Sequence, residues 1–289
     1  MSSLRGLLPK WGQRKVSPSV ATEKREEIIE FDRFTLLIDP SDAGGCAYRH
    51  VQFGGENPLL REAITRFQPT LYVDIGANYG LTCLIHHQLN PGARIVAVEA
   101  SSKLIPFLTR NLNAIIPSEQ VDIVHGLCGK ECKPVAEFAL NPHSSQDNRV
   151  KGTNEQWKIE MVPQVDVSSL TDHQDGFVFL KVDTQGFEPE VLSGAEAFFK
   201  QTNNWFAIVE FAPQWLESQG FRPESWLTKI AEKYKVFEWP EVATYKGSSL
   251  DDIMSRILEP SDCLKFTQAI RNRRRRSLGW TDIGIIPRI

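Results

Sequence analysis

Leu71-Tyr72-Val73-Asp74-Ile75-Gly76-Ala77-Asn78-Tyr79-Gly80 is the stretch that decides the fold. Residues 71–74 have the apolar run of a short buried strand, and Gly76 and Gly80 bracket a tight turn. Leu81, Leu84, Ile85 and Leu89 follow at helical spacing. A strand that turns sharply into a helix presents backbone N–H groups and the positive helix end to a ligand. Glycine is expected where that ligand lies against bare backbone. A second strand, residues 94–98, leads to Glu99. An acid about 20 residues past such a turn receives the two hydroxyls of a ribose. Turn and acid together predict a site for a nucleoside-containing cofactor.

The turn also discriminates between cofactors. A dinucleotide site prefers G-x-G-x-x-G, because the pyrophosphate approaches the backbone closely. Here Asn78 holds the middle position, and Asp74 at the strand end would repel a pyrophosphate and attract a cationic amino acid. S-adenosylmethionine carries a ribose, a sulfonium and an ammonium, and is the expected cofactor. Its candidate contacts are Asp74, Gly76, Asn78, Tyr79, Gly80 and Glu99. An NAD-linked oxidoreductase on the same architecture is the alternative, and a binding module that kept the fold without activity is a third possibility.

Working outward, the alternation of patterns continues. Residues 60–67 (Leu60, Ala63, Ile64, Phe67) have helical spacing ahead of the first strand. Ser101 or Ser102 is placed to cap a helix bearing Leu104, Ile105, Leu108 and Leu112, with Pro106 near its first turn. Residues 121–124 read as a third strand, and residues 135–140 and 157–162 as strands of an antiparallel insertion. Residues 177–182 are apolar except for Lys181, as expected of a strand covered on both faces, and Asp183 follows. After the turn Thr184-Gln185-Gly186-Phe187-Glu188, Pro189 opens a helix with Val191, Leu192, Ala195, Phe198 and Phe199 on its buried face. Residues 205–209 form the next strand, ending on Glu210, and Val236-Phe237 a last one. Strands alternating with helices imply right-handed crossovers and a parallel sheet with helices on both faces. Ligands then sit beyond the carboxyl ends of the strands. Asp74, Glu99, Asp183 and Glu210 each end a predicted strand.

Val73-Asp74-Ile75-Gly76-Ala77-Asn78-Tyr79-Gly80, Val98-Glu99, Leu180-Lys181-Val182-Asp183-Thr184-Gln185-Gly186-Phe187-Glu188 and Val191-Leu192-Ser193-Gly194-Ala195 together resemble the FkbM-type methyltransferases. The second half of this set carries most of the specificity. The resemblance implies the class I methyltransferase fold: α/β, Rossmann-like, a mostly parallel seven-stranded sheet with helices on both faces. It implies S-adenosylmethionine as methyl donor and a hydroxyl acceptor, often on a sugar, glycan, lipid-linked saccharide or secondary metabolite; a protein acceptor is a further alternative. Family members commonly have proline where Ala100 stands, beside Glu99 in the cofactor wall, and often glutamate where Gln185 stands. The resemblance covers roughly residues 71–211.

Methyl transfer to a hydroxyl requires the oxygen to lose its proton as the new bond forms. Asp183 is the candidate base. Alternatively, Asp183 and Glu210 bind one Mg²⁺ that acidifies the hydroxyl. His143, in the polar segment Asn141-Pro142-His143-Ser144-Ser145-Gln146-Asp147-Asn148-Arg149, is a second base candidate in a suspected lid. Trp215, Trp226 and Trp239 are either sugar-stacking or core residues.

The chain has 289 residues, a formal net charge of −3 and 41% hydrophobic residues. No overall field draws it to nucleic acid or membrane, and a nucleic-acid partner is not expected. Leu7-Leu8 is too short for a signal-peptide core, and no stretch approaches the roughly 20 apolar residues of a membrane span. Five scattered cysteines, with Cys128 and Cys132 lacking a second pair, argue against zinc and for reduced thiols in a cytoplasmic protein. The expected organisation is a basic, flexible tail over 1–26, an extension of strand, loops and helix over 27–68, and a catalytic domain over 69–245. That domain carries a loop or hairpin insertion at 133–165. A C-terminal extension over 246–289 holds the run Arg271-Asn272-Arg273-Arg274-Arg275-Arg276, a candidate contact for anionic surfaces and otherwise a solvated helix face.

Overall fold

The computed structural model describes residues 26–50, 58–130, 134–150, 156–171, 176–240, 247–273 and 279–288. Cys132, Arg274 to Arg276 and, apart from Glu26, the expected basic tail lie outside the described residues.

The chain opens with a hairpin, β1 (Glu27–Glu30) antiparallel to β2 (Thr35–Ile38). Helices α1 (Ala43–Ala47) and α2 (Pro58–Phe67) precede β3 (Leu71–Ile75). Then come α3 (Leu81–Leu89), β4 (Arg94–Glu99), α4 (Ile105–Asn113) and β5 (Val121–His125). The insertion holds β6 (Leu127–Cys128), β7 (Ala136–Leu140), β8 (Arg149–Val150), β9 (Lys158–Val162) and β10 (Gln164–Val165). Strands β8, β7 and β9 form a small antiparallel sheet of their own, and β6 pairs with β10 at its base. The second half runs α5 (Val167–Leu170), β11 (Val178–Val182), α6 (Glu188–Gly194), α7 (Glu196–Gln201), β12 (Trp205–Phe211), α8 (Pro213–Ser218), α9 (Pro223–Lys233) and β13 (Tyr234–Trp239). It ends with α10 (Leu250–Ser255), α11 (Cys263–Arg271) and β14 (Thr281–Pro287).

Seven strands form the central sheet in the order β13-β14-β12-β11-β3-β4-β5. All are parallel except β14, which runs antiparallel to both of its neighbours, β12 and β13. The chain builds outward from β3 through β4 and β5 on one side, and from β11 through β12 on the other. The switch point between β3 and β11 leaves a crevice beyond their carboxyl ends, where α/β sheets bind ligands. The domain boundary expected at residue 245 therefore cuts through the sheet: the segment read as a C-terminal extension supplies one of its seven strands.

Side-chain alternation along the strands builds two cores. Tyr72, Ala97, Phe179, Phe206 and Phe237 face Leu59, Leu84, Leu108 and Leu250 from α2, α3, α4 and α10. Leu71, Val73, Val98, Leu180 and Val209 face Val191, Phe199, Leu216, Leu227 and Ile270 from α6, α7, α8, α9 and α11. Each large side chain so buried contributes about 1.5–3 kcal/mol. Trp239 lies in the first core and half-buried Trp226 packs on the second. The serines expected to cap α4 do not do so: the N-cap is Leu104, without a side-chain bond.

Contacts within the protein already require the two turn glycines. Gly76 has φ +88° and Gly80 φ +87°. A Cβ on Gly76 would stand 1.9 Å from the carbonyl oxygen of Asp183, so this glycine lets the ends of β3 and β11 close on each other. A Cβ on Gly80 would meet only the side-chain tips of Leu108 and Leu112, at 2.8 and 2.9 Å. Gly76→Ala is expected to destabilise by about 3–5 kcal/mol, from a left-handed backbone plus a clash with backbone. Gly80→Ala is expected to cost about half as much, since flexible tips give way. Equal denaturation midpoints for the two variants would contradict this.

Candidate active site

A cavity of about 550 Å³ lies over the crevice, walled from Glu99 and Ala100 at β4, across Gly76 and Asp183, to Glu210 and Asp282 on β12 and β14. Its size falls in the range of small-ligand sites, about 300–1,000 Å³.

At one end stands Glu99, the last residue of β4 and only 5% exposed. Its Oε2 accepts the backbone N–H of Asn78 and its Oε1 that of Ser101, each at 2.8 Å. Burial pushes this carboxyl up to about 7, against the pull of the Ser101 and Asn78 N–H groups. The two oxygens carry about four lone pairs, so beyond these N–H groups and that of Ala100 the carboxylate keeps accepting capacity for a donor from the cavity. Two adjacent hydroxyls suit that geometry. Asn78 reaches Glu99 because its backbone is left-handed, φ +53°. Its side chain is held on both sides: Nδ2 donates to Ser145 Oγ at 3.3 Å, and Oδ1 accepts from the Tyr48 hydroxyl at 3.5 Å.

Those partners come from segments outside the central sheet, which together roof the cavity. Asp42 knits them. Its carboxylate caps α1 through the N–H groups of Gly44 and Gly45 and accepts the Tyr79 hydroxyl at 2.8 Å. It also accepts the backbone N–H of Ser145 at 2.7 Å and the Ser145 hydroxyl at 2.5 Å. The N-terminal extension and the insertion are thus joined over the cofactor turn.

At the other end lies a network of charge. Lys181 Nζ donates to Asp183 Oδ2 at 3.2 Å and lies 3.6 Å from Asp74 Oδ1. Burial disfavours its ammonium, but Asp183, Asp74 and Asp282 outweigh that and hold it above the ordinary lysine value. Gln185 Nε2 donates to Asp183 Oδ1 at 3.0 Å and lies 3.4 Å from Glu210 Oε2. Glu210 is 6% exposed. Burial first, then Asp183, Glu188 and Asp282, push its carboxyl well above the usual range. Neighbouring Glu188 is fully buried, with Oε1 accepting the N–H groups of Thr184 and Gly186.

Of the residues expected to hold the cofactor, Gly76, Asn78, Glu99 and Ala100 line the cavity. Asp74, Tyr79 and Gly80 do not. Asp74 falls inside β3, one residue short of its end, so its side chain points into the helical layer. There it is fully buried and accepts from Thr82, Cys83 and Tyr72. It reaches the cavity through Lys181 and Thr82, which line it. Tyr79 is 1% exposed and packs edge-on against Phe107 while its hydroxyl serves Asp42. Both candidate catalytic acids, Asp183 and Glu210, line the cavity; His143 is exposed and stands outside it, its carbonyl accepting Ala43 N–H. Sequence reasoning left Lys181 without a role, although it is the one charged residue in an apolar strand and shares a face with Asp183 by the period of two. Tyr48, Asp42, Trp280 and Asp282 gave no local signal, and Ser145 gave one only as part of the polar segment around His143. Among the described residues no three or more His, Cys, Asp or Glu side chains are arranged to hold a metal ion. In the basic run, Arg271 pairs with Glu217 and Glu224, and Arg273 with Glu238. No helix among the described residues is long and apolar enough to cross a membrane.

Sheet order, switch-point cavity and a buried acid at the end of β4 define a class I methyltransferase. The family model "Methyltransferase FkbM domain" matches residues 74–252, and the chain belongs to that family. Methyltransferase FkbM from Methylobacillus flagellatus KT is 13% identical over 58% of this chain and 39% of its own, with a TM-score of 0.38. This chain thus spans well under half of that enzyme. A precorrin-6y C5,15-methyltransferase from Geobacter metallireducens GS-15 is 16% identical over 62% of this chain and 72% of its own, TM-score 0.36. The plantazolicin methyltransferase BamL, solved with a triazolic desmethylPZN analog and SAH, is 8% identical over 80% of this chain and 82% of its own, TM-score 0.44. No curated protein matches the chain.

Proposed function

We propose that the chain moves a methyl group from S-adenosylmethionine to a hydroxyl of a sugar, glycan or secondary metabolite, with Asp183 as the base. The observation that carries this is Glu99: a buried carboxylate fixed by backbone N–H groups on the wall of a cavity that also holds Asp183. The donor fits these residues. Glu99 would take its ribose hydroxyls, and Gly76 and Asn78 would border the rest. When bound, it supplies a methyl group made electrophilic by a sulfonium. The chain's own residues then orient the hydroxyl and remove its proton. Asp183 does so with both oxygens anchored, by Lys181 and Gln185, while its side chain keeps 38% exposure toward the cavity. The Mg²⁺ bridge considered for Asp183 and Glu210 has a competitor in place, since the Gln185 amide nitrogen already lies between the two carboxyls.

An NAD-linked oxidoreductase is disfavoured by Asn78. Its side chain fills the space between Tyr48 and Ser145 where a pyrophosphate would need bare backbone. Calorimetry decides between the two. S-adenosylhomocysteine is expected to bind and NAD to give no heat; the reverse would discard the methyl-transfer assignment. Incubation with labelled S-adenosylmethionine and fractionated glycans, lipids and metabolites then identifies the acceptor.

A further inference from the structure

We infer that the β12–β14 end of the cavity is the acceptor subsite, completed by Trp280 and Asp282 from outside the family-matched segment, and that it admits a hydroxyl-bearing ring without negative charge. The inference rests on the methyl-transfer assignment above and adds to it the residues and the charge of the acceptor end.

Topology separates the two ends. Glu99 is on β4, and the sheet runs β4-β3-β11-β12-β14. Glu210 on β12 and Asp282 on β14 are register partners, three and four strands away. At the spacing of paired strands, that is about 14 and 19 Å. With the ribose committed to Glu99, this far end is what remains for the acceptor.

Its chemistry is one-sided. Three carboxyl side chains, those of Asp183, Glu210 and Asp282, line this end of the cavity, with Glu210 the one that keeps its proton. Lys181 is the one cationic side chain among the described lining residues, and Asp183 and Asp74 already engage it. Carboxylates accept hydrogen bonds and repel anions. A hydroxyl or ammonium on the acceptor finds partners here, whereas a phosphate or carboxylate meets repulsion, with no spare cation among the described lining residues.

A second observation points to a ligand. Gln185, nine-tenths buried, lines this end, and its Oε1 has no hydrogen-bond partner. Its backbone is held left-handed, φ +56°, a strained conformation of the sort kept at functional sites. Above it the walls are aromatic. Trp205 and Trp239 are buried in the core. Trp215 and Trp280 are instead half-buried on the cavity, flat faces of the kind that stack on rings.

The experiment uses the protein saturated with S-adenosylhomocysteine and measures binding of four probes by saturation-transfer NMR. They are methyl glucoside (neutral), glucosamine (cationic), and glucose 6-phosphate and glucuronate (anionic). The first two are expected to bind at least about ten-fold more tightly than the anionic pair. Asp282→Asn, which keeps the shape, is expected to shrink the ratio between glucosamine and glucose 6-phosphate by about five-fold or more. Trp280→Ala is expected to weaken both bound probes by about five-fold or more, with Trp280→Phe restoring most of that. In each variant S-adenosylhomocysteine affinity stays within about two-fold, because the cofactor end is untouched. Anionic probes binding as well as neutral ones, none of the four binding, or an unchanged ratio in Asp282→Asn would overturn the inference. Failure of the unmodified protein to bind S-adenosylhomocysteine would instead remove the methyl-transfer assignment, and this inference with it.

Discussion

Asp183→Asn is expected to lower methyl transfer by about 10²–10⁴-fold, the usual contribution of a general base, while S-adenosylhomocysteine affinity stays within about three-fold. The hydroxyl must lose its proton as the carbon–oxygen bond forms, and an amide cannot accept it. The substitution changes little else. Asp183 follows β11, and its backbone carbonyl, packed against Gly76, does not depend on the side chain. Lys181 keeps Asp74 as a partner. Glu210 does not stand in as base. Burial and three neighbouring acids raise its carboxyl well above the usual range, so it holds its proton where an unperturbed glutamate would be ionised. The two carboxyls then take different roles: Asp183 accepts the proton, and Glu210, already protonated, donates a hydrogen bond. Glu210→Gln, which preserves a donor, is therefore expected to cost only about ten-fold. Labelled methyl incorporation measures both variants. Turnover of Asp183→Asn within about three-fold of the parent enzyme would remove Asp183 from the chemistry.

The division between what was legible and what was not follows from how local each signal is. The strands and the helices between them were readable because burial on both faces leaves long apolar runs, as in residues 178–182 and 205–211. Glu99, Asp183 and Glu210 were readable because strand-end acids in such sheets face the ligand crevice. Asp74 misled because a strand end is defined only to within a residue or so. One residue decides which face a side chain takes, and Ile75 is still in the strand. Tyr79 misled because proximity to a glycine turn does not say whether a ring packs inward. β14 was invisible for a different reason. An antiparallel strand inserted between β12 and β13 is a long-range pairing, and Thr281-Asp282-Ile283-Gly284-Ile285-Ile286-Pro287 carries a glycine and a proline that weaken any strand pattern. The roof was hidden likewise, since Asp42 and Ser145 are 103 residues apart and meet only after folding.

Glu99→Ala is expected to weaken S-adenosylhomocysteine binding by about 10²–10⁴-fold, because hydrogen bonds to a charged acceptor contribute about 1.5–3 kcal/mol each and two ribose hydroxyls lose theirs. Glu99→Gln, with one accepting oxygen, is expected to lose less, about 10–10²-fold. Calorimetry distinguishes the two losses. The same carboxyl makes the pH dependence of affinity and of stability run in opposite directions. Its value in the free protein is raised from 4.5 to about 7 by burial. A group raised in the folded state contributes stability that is present below its unfolded value and lost as pH rises through the folded one. From Glu99, then, the free protein loses stability between about pH 4.5 and 7, and buried Glu188, also raised, acts in the same sense. Cofactor binding needs the ionised form, whose oxygens accept backbone N–H groups and ribose hydroxyls at once. Affinity is therefore expected to climb as pH approaches about 7 and to level off above it. The rise in melting temperature on adding S-adenosylhomocysteine should be larger near pH 8 than near pH 6, and Glu99→Gln should flatten the difference. An affinity independent of pH between about 5.5 and 8.5 in the unmodified protein would mean that Glu99 is not the group that receives the ribose.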